Sequence, residues 1–419
     1  MGAQIMNNDH HVNQKQINLY TATIFGAVLF MCLSNNIVGP LLGDIMAHYD
    51  IRLDGGGLMS LYQNIGGTLA VILFSFILDR LNKTLAFIAP MLLLAISLLL
   101  IGIAPPYTVF MLLFLTFGIS FSSMDMTGNA LVSDVQQQKR NTALSLMHGI
   151  ASMGAVAAPL IAGGITESGL PWQTVYTLVG FVILAVLVVY ILVSASVRKS
   201  LKAIKTVHLN QPVQGEAPEF LKDKRVWVAV LSTLMFGGYQ SGILVWVSQY
   251  FKAVFGSGQL AAGLGLTAYW LGAGIVRLLF GLVPRLRNLE TRPVNIYGSI
   301  LAGAVLLIGV LSGSYGVMLV CVFLSGAFNA PLLPRTMGLV SGWYQVNSGV
   351  AASFVFGALY LAYSFFPLLM GSLAYAWGMN MLMLVPALCT ILAGAAAVLL
   401  PRERADVALQ IQEMDCAEG

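Results

Sequence analysis

Asp125 is the residue of this sequence whose placement most plainly calls for a chemical role. It sits about seven residues inside the end of the apolar stretch 107–132, where a charge exposed to hydrocarbon costs about 3 kcal/mol or more. On a helical projection Gly118, Ser122, Asp125 and Asn129 share one face, and Asn141, Ser145, His148 and Ser152 share a face of the next stretch. Two polar stripes in apolar helices imply one cavity. His148 lies at about the depth of Asp125, so protonation of either would change the other's affinity for a proton. Asp125 is the candidate proton carrier and His148 its candidate partner. The competing reading makes both of them structural, hydrogen-bonded between helices.

The remaining polar residues of the apolar stretches are mostly uncharged. Ser34, Asn35 and Asn36 precede Gly39-Pro40, which can loosen a helix, and Gln63 and Asn64 precede Gly66-Gly67. Further along, Tyr239, Trp246 and Tyr250 share a face with Gln240 at its edge, followed by Tyr269, Trp270, Asn329, Gln345 and Asn347. Amides bind hydroxyls and aromatic faces pack on pyranose C–H surfaces, so this set suits a neutral polar ligand. Tyr and Trp also form interfacial belts, and Asn and Gln also join helices to one another.

The elements that must position these residues follow from composition. Of 419 residues, 58% are hydrophobic and 9% charged, with a mean hydropathy of +0.83, against about 25% charged in soluble domains. Uncharged stretches such as Leu85 to Met124 alternate with short polar breaks, and a helix needs about 20 apolar residues to cross a bilayer. The expected fold is an all-α membrane protein of twelve transmembrane helices in two pseudo-symmetric six-helix bundles. The expected spans are 18–43, 57–78, 85–103, 107–132, 142–165 and 173–195, then 226–250, 260–283, 294–312, 315–334, 339–363 and 378–400. The bundles therefore occupy 18–195 and 226–400, with a tail at 1–17, a Lys-rich linker at 196–225 and a second tail at 401–419.

Of the 21 Lys and Arg residues, all but Arg52, Lys252 and Arg277 fall on one side if both termini are cytoplasmic, which is the arrangement the positive-inside rule favours. The same placement accounts for the net charge of +4 without a nucleic-acid partner. Cys32, Cys321 and Cys389 sit in apolar spans without metal-ligand spacing, and residues 1–16 lead into an apolar run too long for a cleaved signal. No cofactor or metal is expected. Residues 75–82 and 281–288 read alike at the ends of the second and eighth spans, and Trp172 and Trp377 are expected to open the sixth span of each half. Such repeats place a substrate site near the midplane, at their interface.

The whole chain resembles the major facilitator superfamily. Asp79-Arg80-Leu81-Asn82-Lys83 is similar to that superfamily's Gly-x-x-x-Asp-Arg-x-Gly-Arg-Lys loop, with Ser75 and Asn82 in place of the glycines, and Gly149, Gly154, Pro159, Gly163 and Gly164 resemble its helix-5 Gly-Pro motif in degenerate form. Asp125-Met-Thr-Gly-Asn129, then Lys139-Arg140-Asn141, then Leu146-Met147-His148-Gly149 resemble the fucose:proton symporter group of sugar transporters. That resemblance implies a proton-linked acid at Asp125, a sugar-contacting amide at Asn129 and a cavity-lining His148. It departs at Asn36, where those symporters carry a second acid. It also implies conformational-gate roles for Asp79, Arg80 and Lys83, and for Arg277, which would pair with Asp134 or Asp79 across the halves; snorkelling to the interface is the alternative for Arg277.

The resulting expectation is a monomeric carrier in the cell (inner) membrane that moves a small neutral polar solute, a sugar first, with proton symport. Its partners are the solute, protons and the lipid bilayer. A proton-driven efflux antiporter for drugs or metabolites is the alternative, and a non-transporting solute sensor a more distant one. The sequence shows no Walker motif, no dinucleotide fingerprint after a strand and no Ser/His/Asp arrangement outside the spans, so an ATP-driven pump or an enzyme is unsupported.

Overall fold

A backbone in hydrocarbon must satisfy its own polar groups, which favours helices, and the chain is helical across its described length. The computed structural model describes residues 14–78, 81–197, 222–343 and 348–401, without the side chains of residues 75, 76, 138, 141, 287 and 348–353. The first half comprises α1 (Gln14–Asn36, resuming after Ile37 as Val38–His48), α2 (Leu53–Gly56 and Leu58–Ile77), α3 (Lys83–Ile101), α4 (Tyr107–Val135), α5 (Arg140–Glu167) and α6 (Trp172–Ser196). The second comprises α7 (Lys224–Phe255), α8 (Gln259–Leu282), α9 (Thr291–Ser312), α10 (Tyr315–Asn329 and Leu332–Trp343), α11 (Ser348–Trp377) and α12 (Met381–Ala397). Among the described residues eleven of these are long and apolar enough to cross a membrane. The twelfth, α12, has 17 residues, the lower limit for a span.

Twelve alternating helices bring residues 14, 197, 222 and 401 to one side, here the terminal side; the opposite side is the far side. Local signals set several ends. Asn82 caps α3 by accepting from the N–H groups of Thr84 and Leu85, and Gly256 ends α7 at φ 62°. Pro40 has no N–H to offer Asn36, and α1 breaks between them.

The internal repeat is visible as matching close contacts. A β-carbon on Gly66 of α2 would strike the carbonyl of Leu115, and one on Gly118 of α4 the carbonyl of Gln63. In the second half the corresponding collisions are Gly272 of α8 with Phe323 O and Gly326 of α10 with Tyr269 O. In each case the struck carbonyl is three residues before the partner glycine, so the two helix pairs cross alike. Small residues let these backbones touch, as they do in helix packing within membranes.

Three expectations are corrected. The tenth span does not stop at 334, because Pro334 falls in the first turn of Leu332–Trp343, where its missing N–H is not needed. The eleventh span does not stop at 363 but runs through Pro367 to Trp377. Trp377 therefore closes α11 rather than opening the sixth span of its half, whereas Trp172 does begin α6. Gly55 and Gly56 lie in the opening helical turn of α2, and Gly57 packs against the backbone of Pro367 and Leu368.

Candidate functional site

A cavity of about 150 Å³ lies between the halves. The first half contributes Asn35 and Gly39 from α1, Ser60, Gln63, Asn64 and Gly67 from α2, and Gly118, Phe121 and Ser122 from α4. The second contributes Ser241 and Leu244 from α7 and Phe356, Tyr360 and Tyr363 from α11. No charged side chain is among its described lining residues. Gln63 Nε2 donates to Asn35 Oδ1 at 2.5 Å, which ties the amides of α1 and α2 together.

Pro367 shapes the opposite wall. Having no N–H, it leaves the carbonyl of Tyr363 without its helical donor, and the first half takes it: Ser60 Oγ donates to it at 3.0 Å and Asn64 Nδ2 lies 3.4 Å away. The Tyr363 hydroxyl donates to Gln240 Oε1 inside the second half. Tyr360 and Tyr363 escaped the sequence reading because a span ending at residue 363 puts them at its border; their three-residue spacing was the available signal.

One turn beyond the cavity toward the terminal side, Asp125, Asn129 and His148 form a chain. Asn129 Nδ2 lies 3.2 Å from Asp125 Oδ1 and donates to its carbonyl at 2.8 Å, while His148 Nε2 is 3.1 Å from Asn129 Oδ1. Asp125 and Asn129 are half-buried and His148 is exposed. The two stripes expected on α4 and α5 thus meet, although these three residues do not line the cavity. Their chain provides two titratable groups bridged by an amide that can bond to both.

Other expected site residues are engaged elsewhere. Tyr239 is fully buried and pairs with Ser325 at 2.8 Å, and Trp246 donates to Pro367 O at 2.9 Å. Asn329 accepts from Ser299 and donates to Thr390, joining α9, α10 and α12. Tyr269 packs edge-on against Tyr239 and Trp270. Trp270 donates its indole N–H across the halves to Asn36 Oδ1 at 2.7 Å. Asp134 bonds Lys83 at 2.9 Å within the first half and not Arg277, while Asp79, the other expected partner of Arg277, lies outside the described residues; Arg277 reaches Ala330 O at 3.4 Å and lies 5.9 Å from the Trp270 ring centre. Asp79, Arg80, Gln345 and Asn347 lie outside the described residues, as does the Asn141 side chain.

The ties between the halves cluster from mid-depth to the far side. Besides those above, Thr267 donates to Val156 O, Gln259 to both oxygens of Asp44, and Leu260 N to Glu167. Toward the terminal side, Lys83–Asp134, Gln136–Thr21 and Asn295–Thr336 each stay within one half. The missed far-side residues, Asp44 and Gln259, are polar positions near helix ends, where sequence alone does not separate a hydrated side chain from a tie.

Twelve helices in two matched bundles, with a neutral cavity between them, define a multi-pass membrane transporter. The chain belongs to the Major Facilitator Superfamily, whose sequence pattern matches residues 24–294 and 251–415. It is 23% identical over 335 residues to Bypass of stop codon protein 6 of Saccharomyces cerevisiae, covering 72% of this chain and 66% of that protein. It is 18% identical over 299 residues to the TsgA homolog of Buchnera aphidicola subsp. Schizaphis graminum, covering 70% and 72%. Among solved structures, a bacterial homolog of the human lysosomal transporter Spinster, inward-facing and occupied, superposes with a TM-score of 0.73 at 12% identity, covering 91% of this chain and 96% of that one. A variant of the nucleoside transporter NupG superposes with a TM-score of 0.72 at 12% identity, covering 91% and 100%.

Proposed function

We infer that this transporter moves a small neutral polar solute, a sugar or a molecule that carries one, by alternating access with proton symport through Asp125. The cavity carries the reading: amides of Asn35, Gln63 and Asn64 line one wall, Phe356, Tyr360 and Tyr363 the other, and no charge lies among its described lining residues. Amides can bond hydroxyls while the rings pack on an apolar ring face. The likeness to a nucleoside transporter accords with a sugar-bearing solute. Asp125 takes the proton, with His148 linked to it through Asn129.

The terminal side is cytoplasmic on this reading, in a cell (inner) membrane, because it gathers nearly all the Lys and Arg residues. The cluster of ties toward the far side supports reading this as an inward-facing state with Lys83 and Asp134 at the cytoplasmic gate, and the carrier is proposed to be a monomer.

The test is uptake into proteoliposomes under an imposed pH gradient, with a panel of sugars and nucleosides and with wild type and Asp125→Asn. Gradient-driven accumulation of one of them, lost in the variant while solute exchange remains, is the expected result. Accumulation that survives the substitution removes Asp125 as the proton site. Failure to take up any member of the panel, with drug resistance on expression, favours efflux instead.

A further inference from the structure

Ser122 and Tyr360 join the halves at the terminal-side end of the cavity. The Tyr360 hydroxyl lies 3.4 Å from Ser122 Oγ. Gly67 makes room for both, since a β-carbon there would sit 2.7 Å from Ser122 Oγ and 3.4 Å from Tyr360 Cε1. All three line the cavity, whereas Asp125, one helical turn further along the same face of α4, does not. Residues three apart on a helix have β-carbons about 5–6 Å apart, so the Tyr360 hydroxyl lies within one side-chain swing of the Asp125 carboxyl. Asn129 bonds Asp125 Oδ1, and Oδ2 has no donor among the described residues.

Resting on the reading of Asp125 as the proton site, we propose that Tyr360 is the positioning residue through which the protonation state of Asp125 reaches the solute cavity. With the carboxyl protonated, Tyr360 stays on Ser122 and ties α11 to α4 beside the cavity. With it ionised, the carboxylate draws the phenolic O–H away, since a hydrogen bond to an ionised acceptor is about twice as strong as a neutral one. The phenol keeps its proton throughout. What moves is its partner, and with it the contact between α4 and α11.

Other titratable groups surround Asp125. His148 faces it from α5, linked through Asn129, and Cys32 faces it from α1. On α3, Lys83 is bonded to Asp134, and on α2 Tyr62 lies toward the far side. The test must therefore separate Asp125 from His148 as well as from Tyr360.

Spin labels on Lys139→Cys and Arg285→Cys, exposed terminal-side positions in opposite halves, report the distance between the halves without any solute. The measurement is double electron–electron resonance on the full chain in nanodiscs, with native cysteines replaced by serine, from mildly acidic to mildly alkaline pH. In wild type the ratio of near to far populations is expected to change roughly fivefold across that range. Tyr360→Phe, which removes only the hydroxyl, is expected to abolish the change, as is Asp125→Asn. Ser122→Ala is expected to keep it, because the phenol can still reach Asp125. A Tyr360→Phe protein that retains the wild-type response, while running as a single species on gel filtration, overturns the role of Tyr360 alone. A response that persists in Asp125→Asn assigns the proton site elsewhere, His148 first, and overturns both readings. So does a wild type with no response.

Discussion

Pro367 and Tyr363 are one helical turn apart in α11, and the proline's missing N–H hands the tyrosine's carbonyl to Ser60 and Asn64 of the opposite half. A helix fault thus becomes a docking point between the bundles. Pro367→Ala supplies an N–H that competes for that carbonyl. The expected result is a protein of equal or higher thermal stability in which the halves part more readily on the far side. Each lost hydrogen bond is worth about 0.5–1.5 kcal/mol, so a cysteine placed at the cavity residue Ser241 should react roughly 2- to 10-fold faster with a membrane-impermeant maleimide. Unchanged labelling would show that Tyr363 O does not hold the halves together.

The matched glycine contacts predict matched sensitivities. Gly118→Ala and Gly326→Ala each push a methyl into a backbone carbonyl of the neighbouring helix, and overpacking of this kind costs about 1–3 kcal/mol. Gly274 and Gly281 in α8 have nothing within 4 Å of a built β-carbon. Alanine there should be neutral or stabilising, by up to about 1 kcal/mol. Thermal unfolding of the four variants in one detergent compares them directly. A Gly326→Ala protein as stable as wild type would break the equivalence between the halves.

How much of this was legible in the sequence depends on which forces act locally. The number of helices, the meeting of the Asp125 and His148 stripes and the α2/α8 correspondence all follow from apolar run length, helical phase and short repeated segments. The second segment of α10 and the C-terminal part of α11 did not, because Pro334 looks like a stop unless it is known to begin a helical turn, and Pro367 looks like one unless the neighbouring helix that donates to the freed Tyr363 carbonyl is known. The division of polar residues between cavity and glue was equally hidden. Gln63 and Asn329 are both amides in apolar spans, yet one faces the cavity and the other bonds side chains of α9 and α12. Only the three-dimensional partner distinguishes them.

That distinction is testable. Gln63→Ala and Asn64→Ala remove cavity amides and should raise the KM of whichever solute the uptake panel identifies, roughly 2- to 10-fold per hydrogen bond, with modest effect on thermal stability. Asn329→Ala leaves buried Ser299 and Thr390 without their amide and should cost about 1–3 kcal/mol of stability, with KM near wild type in the folded fraction. Reversal of the two patterns would exchange the roles assigned to them.

Asp44 holds the far side through two unequal partners, and their geometry ranks them. Gln259 Nε2 lies 2.8 Å from each carboxylate oxygen, whereas Lys252 Nζ is 3.7 Å from Oδ2 and also reaches Pro40 O at 3.3 Å. Asp44 is 31% exposed at its side chain, and an ion pair that open to solvent contributes about 0–1 kcal/mol, whereas the two 2.8 Å contacts of the amide are direct hydrogen bonds to a charged acceptor. The amide should therefore matter more than the cation. Gln259→Ala is expected to speed far-side labelling at Ser241→Cys more than Lys252→Met does. The Lys252→Met effect should shrink at high salt, which screens the ion pair in the parent protein as well. The Gln259→Ala effect should persist there, because the amide's hydrogen bonds to Asp44 are short-ranged contacts that salt screens little. Equal effects from both variants, vanishing together in salt, would make the far-side closure electrostatic instead.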